Sequence, residues 1–239
     1  MTHQPPGKKH PISWLFMDVG GVLLDDAPLL DQLYRYVANA LAERGMPVTL
    51  EAVLTERERL IGSGVAGVYK AVLRRFAPDE ETFDAVLSEF RAWLKPRQKD
   101  LNPMLPGVKE TLRLLANQYK LALAANQGAH IHTLLAELGL RGHFSAAAIS
   151  GEIGISKPDP RFFQRLLKDT GASREEAVMV GDGLANDLRP AYEMGLRTVR
   201  VIAGGDNVRD DDAYSFVTGT VSSLPDLPNL LSSWTVGEG

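Results

Sequence analysis

Apolar residues along this chain recur with two different periods, and the period changes where the architecture changes. Trp14-Leu15-Phe16-Met17 is a short unbroken apolar run that ends in Asp18. That is the pattern of a strand buried on both faces of a parallel sheet. Beyond it the pattern turns helical. Leu29, Leu30, Leu33, Tyr36, Val37, Ala40 and Leu41 fall on one helical face, and Gly45 and Pro47 close the run. Thr49-Leu50-Glu51-Ala52 opens a second helix, Gly62-Ser63-Gly64 breaks it, and a third helix is predicted over 65–76. A fourth starts at Pro78 and carries Phe83, Val86, Leu87, Phe90 and Leu94 to Lys95-Pro96.

From Leu105-Pro106-Gly107 onward, helix and strand alternate. Helices are predicted over 108–118, 129–138 and from Pro160 to Thr170, with a last one in this series ending at Gly195. Strands are predicted over 120–125, 144–149, 177–180 and 198–202. Asp159 is placed to cap the helix at Pro160, and Ser173-Arg174-Glu175-Glu176 has capping-box spacing. Residues 216–218 read as an edge strand and 224–231 as a short helix. Alternating strands and helices predict an α/β fold with a doubly wound parallel sheet. The helical stretch after the first strand is longer than a crossover needs. The expected organisation is therefore a mobile tail over 1–13, an α/β core over 14–25 and 102–239, and an inserted helical module over 26–101.

Composition narrows the function classes. The 239 residues are 44% hydrophobic, enough for a sizeable core. A net charge of −4, with 26 basic and 30 acidic residues in no long runs, argues against a nucleic-acid groove or a membrane-surface patch. The absence of cysteine excludes disulfides, thiolate metal sites and cysteine nucleophiles. No apolar run reaches the length of a membrane span, so the expectation is a cytoplasmic protein, either monomer or homodimer. His3 and His10 read as solvated tail residues, and Asp210-Asp211-Asp212 as a solvated loop.

Three carboxylates, Asp18, Asp182 and Asp187, stand just beyond strand ends. If the sheet brings those ends together, their repulsion calls for a cation. Oxygen-only ligands favour a hard one such as magnesium, which suits a phosphate substrate. Lys157 is a candidate to neutralise the same region. Asp18 is a candidate nucleophile toward phosphorus, giving an aspartyl-phosphate. Singly each residue has an ordinary structural reading: Asp187 as a helix cap, Asp182 as a turn residue, Lys157 as surface. Four such residues at strand-to-loop junctions reverse that weighting.

At these residues the chain resembles the haloacid dehalogenase-like (HAD) superfamily, from Trp14 onward. The first motif resembles Leu15 to Leu23 around Asp18, the third Lys157-Pro158-Asp159-Pro160, and the fourth Val180 to Asp187. The resemblance implies a Rossmann-like core with a helical cap that closes over the site and selects substrates. It implies Asp18 as nucleophile and Asp182 and Asp187 as magnesium supports. Lys157 then steadies both nucleophile and phosphate, and the Gly20 carbonyl is a further metal ligand. Two positions depart from the family. Its phosphatases carry a second Asp where this chain has Gly20, removing the general acid and base. The second motif ends in Ser or Thr where this chain has Ala125, leaving backbone N–H groups around Asn126 and Gln127 to hold phosphate. Asp25, Gln127, His130 and His132 lie near the right loops to replace the missing acid, although both histidines read as outer-face residues of their helix.

Three functions follow. The first is a magnesium-dependent phosphatase of a small phosphorylated metabolite, slow because of Gly20. The second is a weakened ligand- or partner-binding protein, which the pairing of Gly20 with Ala125 motivates. The third is a 2-haloacid dehalogenase, which needs no leaving-group proton. The family's dehalogenases carry an aromatic residue at the Gly20 position and do not use magnesium. A receiver-type phosphoacceptor domain is disfavoured by the helical insert.

Overall fold

The computed structural model describes residues 11–63, 65, 67–202 and 214–235. His3, His10, Gly64 and Asp210 to Asp212 lie outside the described residues. The chain forms two compact units. Among the described residues, one contains 11–24, 104–202 and 214–235, and the other the residues within 25–103. No described helix is long and apolar enough to cross a membrane.

The first unit begins with β1 (Trp14–Met17). Part of the expected tail is tied down, because Ile12 packs on the core and the Ser13 N–H donates to the Glu176 carbonyl.

The second unit is helical. It contains α1 (Ala27–Glu43), α2 (Leu50–Gly62), α3 (Val68–Phe76), α4 (Glu80–Leu94), a 3₁₀ turn and the one-turn α5 (Gln98–Leu101). Side chains fix the starts. The Ala27 N–H donates to Asp25 Oδ1 at 3.0 Å, and the Ala52 N–H to Thr49 Oγ1 at 3.2 Å. The fourth helix starts later than Pro78 predicts, because the Asp79 carboxylate accepts the Thr82 N–H at 2.8 Å. The third starts at Val68 rather than 65, with Gly67 at its N-terminus at φ 67°. Leu41, Val53, Val72, Leu73, Phe83 and Val86 centre the helical unit's own apolar core.

The remaining elements complete the first unit. They are α6 (Val108–Ala116), β2 (Lys120–Ala125), α7 (His130–Glu137), β3 (Ala146–Ile149), α8 (Ser150–Ile153), α9 (Pro160–Thr170), β4 (Ala177–Gly181), α10 (Arg189–Glu193), β5 (Arg197–Val201), β6 (Gly219–Val221) and α11 (Leu227–Thr235). The six strands form one parallel sheet in the order β3-β2-β1-β4-β5-β6. Period-two alternation sends Leu15, Met17, Leu121 and Leu123 into one apolar cluster and Trp14, Phe16, Ala122 and Ala124 into the other. The second cluster pairs small strand residues with the fully buried rings of Phe162 and Phe163 from α9.

Three local expectations change. Ser173 to Glu176 makes the side-chain contact its spacing suggests, with Ser173 Oγ donating to Glu176 at 3.0 Å. It closes a turn there, because β4 begins at the next residue. The helix after β4 opens with a π-helical turn, Leu184–Leu188. The edge strand is β6, three residues beyond the predicted start at Phe216, and the Thr218 N–H instead donates to the Thr198 carbonyl.

Candidate active site

Strand order sets the place of the site. β1 sits between β2 and β4, so connections leave it in opposite directions, and a crevice opens at the carboxyl ends of these strands. Met17 is level with Val180, and the Asp18 N–H continues the ladder to the Val180 carbonyl at 2.9 Å. Asp18 therefore stands beside Gly181-Asp182. The chain then folds back tightly, with the Leu23 and Leu24 N–H groups both donating to the Val19 carbonyl.

Glycines make room for the carboxylates. Gly21 has φ 67°, and a Cβ there would lie 2.4 Å from Asp182 Oδ2. A Cβ at Gly181 would lie 2.7 Å from Asp187 Oδ2, and one at Gly183 2.8 Å from the same atom. Gly20, by contrast, is absent from the left-handed region. Its backbone would accept a side chain without that strain.

The π-helical turn buries Asp187. The Leu188 N–H reaches back to the Gly183 carbonyl at 3.2 Å, and Asp187 Oδ2 accepts the Gly183 N–H at 3.0 Å. Asp187 is 1% exposed. One oxygen each of Asp18, Asp182 and Asp187 lies within 4.8 Å of the others. Lys157, 3% exposed, inserts its ammonium 2.9 Å from Asp18 Oδ1 and 2.5 Å from Asp187 Oδ1.

Electrostatics follow from this packing. Burial opposes the Lys157 charge, but Asp18 and Asp187 outweigh it and hold its pKa above the ordinary lysine value. Burial and the neighbouring Asp18 charge push the Asp187 carboxyl above the usual carboxylate range, against the pull of Lys157. Three carboxylates thus converge around one ammonium, an arrangement that a divalent cation would relieve. Among the described residues, Asn186 Oδ1 is also buried without a hydrogen-bond partner. Oxygen donors of this kind fit a hard cation such as magnesium.

The structure brings Asp18, Asp182, Asp187 and Lys157 together, with Gly20 in the turn after Asp18. Asn126 meets them through its side chain: Oδ1 accepts the Lys157 N–H and Nδ2 donates to the Lys157 carbonyl, both at 2.8 Å. The Gln127 carbonyl accepts from the Gly151 N–H at 2.9 Å and Ser150 Oγ at 3.3 Å, joining the loops after β2 and β3. Ala125 is fully buried in an apolar cluster. His132 is not a free outer-face residue. It is half-buried, accepts from Arg141 Nε at Nδ1 (3.0 Å) and meets Glu152 at Nε2 (3.2 Å). The contributions of Gly21, Gly181 and Gly183 are legible only as glycines near Asp18 and on either side of Asp182, and the side-chain role of Asn126 has no local signal.

A family model for haloacid dehalogenase-like hydrolases matches residues 12–195. The chain belongs to the haloacid dehalogenase-like hydrolase family. As a HAD hydrolase it is 30% identical over 234 residues to a phosphoglycolate phosphatase of Chromobacterium violaceum, covering 94% of this chain and 98% of that protein. It is 26% identical over 231 residues to a glyceraldehyde 3-phosphate phosphatase of Methanocaldococcus jannaschii, covering 93% and 98%. Among solved structures, a 2-haloacid dehalogenase from Pseudomonas syringae pv. Tomato DC3000 is 25% identical with a TM-score of 0.63, covering 93% of this chain and 99% of that one.

Proposed function

We propose that this HAD hydrolase is a magnesium-dependent phosphatase of small phosphorylated metabolites, working through an aspartyl-phosphate on Asp18. The observation that carries the reading is the buried Lys157 ammonium between Asp18 and Asp187, beside a third carboxylate. It fixes one oxygen of the nucleophile in a site where three carboxylates gather. Relatives similar over nearly their whole length, named as phosphoglycolate and glyceraldehyde 3-phosphate phosphatases, support the substrate class.

In the first step an Asp18 carboxylate oxygen bonds to phosphorus as the bond from phosphorus to the leaving oxygen breaks. Lys157 holds the carboxylate in place and counters the phosphate charge, and backbone N–H groups at Asn126 and Gln127 take phosphate oxygens. Asp18, Asp182, Asp187 and the Gly20 carbonyl would hold magnesium, which when bound supplies Lewis-acid stabilisation of the phosphoryl oxygens. In the second step water attacks phosphorus, free phosphate departs and the Asp18 carboxylate is restored. The leaving oxygen must take its proton from solvent or another residue, because Gly20 has no side chain to give one. Positioned acid–base catalysis is typically worth about 10²–10⁴ in rate, so acyl and aryl phosphates should outpace alkyl phosphates.

Phosphate release is the test, measured with and without magnesium over a panel of alkyl, aryl and acyl phosphates. Magnesium-dependent release from at least one compound, lost in Asp18→Asn, is expected. No turnover across the panel would overturn the reading. The likeness to a 2-haloacid dehalogenase motivates one alternative, which predicts magnesium-independent halide release from 2-chloro acids.

A further inference from the structure

Lys157 carries the charge balance of the site, yet it sits in irregular chain between α8 and α9. What holds its backbone is the side chain of Asn126, a residue on the loop after β2. One carboxamide satisfies both polar groups of the residue. Its oxygen takes the Lys157 N–H and its nitrogen donates to the Lys157 carbonyl, each at 2.8 Å. With both heavy atoms so committed, this carboxamide is built as a backbone clamp. The Lys157 side chain leaves that clamped backbone and ends between Asp18 and Asp187.

We propose that Asn126 is a positioning residue that sets the Lys157 ammonium between Asp18 and Asp187 by gripping the Lys157 backbone at two points. The inference rests on the phosphatase reading, and it adds a mechanical link: the loop whose N–H groups hold phosphate also fixes the cation that steadies the nucleophile. That same loop is closed against the chain after β3, where the Gly151 N–H donates to the Gln127 carbonyl at 2.9 Å. A Cβ at Gly151 would come within 2.9 Å of Gly128 Cα, so the two loops already touch. Phosphate grip and ammonium position thereby belong to one hydrogen-bonded patch. Asn126 contributes to it through Lys157 and not by touching substrate with its side chain.

A double-mutant cycle tests this. Magnesium-dependent binding of inorganic phosphate is measured by calorimetry for the unaltered protein, Asn126→Ala, Lys157→Met and the double variant. Losing two hydrogen bonds should weaken phosphate binding by about tenfold. In the Lys157→Met background the same change should cost less than about twofold, because the route of action is already gone. Equal losses in both backgrounds, or no loss in Asn126→Ala, would overturn the proposal. Crystal structures of the ligand-free variants give an independent arm. In Asn126→Ala the Lys157 ammonium should leave its 2.9 Å contact with Asp18. Asn126→Asp retains the acceptor for the Lys157 N–H but repels the carbonyl, so it should displace the ammonium too, and it serves if the alanine variant fails to fold. An ammonium still in contact with both carboxylates overturns the proposal whether or not phosphate binds. Failure of the unaltered protein to bind or release phosphate tells against the phosphatase reading alone, and the crystallographic arm then decides this one.

Discussion

Among the described residues, the buried charged side chains all belong to the α/β unit and none to the helical one. In the helical unit, charged pairs lie in solvent: Arg74 meets Glu80 at 2.7 Å with both side chains more than half exposed, and Arg35 meets Asp31 at 2.8 Å with both about half exposed. In the α/β unit the ammonium of Lys157 and the carboxylate of Asp187 are almost completely buried, 2.5 Å apart, with Asp18 and Asp182 crowding the same space. Exposed pairs contribute little, since water solvates either partner nearly as well. Buried ones are costly to assemble and more costly to break. The contrast teaches where to look for chemistry: a fold that only needed stability would not bury an ammonium among carboxylates.

The largest effect should come from Asp18→Asn. The amide is isosteric but a poor nucleophile, so magnesium-dependent phosphate release should fall below detection while the circular dichroism spectrum stays unchanged. Retained turnover would separate the buried charge cluster from catalysis and remove the functional side of the contrast. Gly20→Asp should act in the opposite direction. Since Gly20 is not in the left-handed region, the backbone accepts the new side chain. Turnover of alkyl phosphates should rise by about 10²–10⁴ if a proton donor is what the pocket lacks, with a smaller gain for aryl phosphates. An unchanged rate would locate the deficit in the phosphate grip near Ala125 instead.

Lys157→Met probes stability. Removing the ammonium that lies between Asp18 and Asp187 leaves a buried carboxylate facing another, at a cost of about 3–5 kcal/mol. Urea unfolding would read this, and magnesium should restore more stability to the variant than to the unaltered protein. A loss below about 1 kcal/mol would place this pair in the same class as the exposed ones. Gly21→Ala should cost somewhat less, about 1–3 kcal/mol, from the φ of 67° and the close approach of Asp182. Its signature is a fall in magnesium affinity by calorimetry, because the carboxylate that must move is Asp182. Full affinity with lost stability would make Gly21 a turn residue alone.

How far the sequence discloses this site depends on the range of the interaction concerned. β1 is legible because four consecutive apolar residues and a terminal aspartate are a local pattern, and the Asp159-Pro160 start of α9 is equally local. Lys157, Asp182 and Asp187 are legible as strand-to-loop residues, since alternation alone puts them at one end of the sheet. The π-helical turn at Leu184–Leu188 is not, because it depends on Asp187 folding back on the Gly183 N–H. Nor is the Asn126 clamp, which joins positions 31 apart through backbone atoms that carry no residue identity. The displaced edge strand belongs with these: Phe216-Val217-Thr218 has a strand's composition, but pairing of Val199 with Gly219 sets the register.

The smallest effect belongs to the helical unit and closes the comparison from its other side. Arg74 makes two contacts with Glu80, at 2.9 and 2.7 Å, and its guanidinium lies 4.3 Å from the centroid of Phe83. The geometry is bidentate and the ring contact adds a cation–π attraction, so this is among the better-made surface pairs. Even so, Arg74→Ala should cost no more than about 1 kcal/mol, because both side chains remain accessible to water and salt screens them. Unfolding at low and high salt decides it. A small loss that shrinks further at high salt is expected, whereas Lys157→Met should show nearly the same loss at both, its charges being shielded by protein. If Arg74→Ala were as costly and as insensitive to salt as Lys157→Met, burial would not be what distinguishes the two units, and the case for reading the buried cluster as the chemical centre would lose its physical basis.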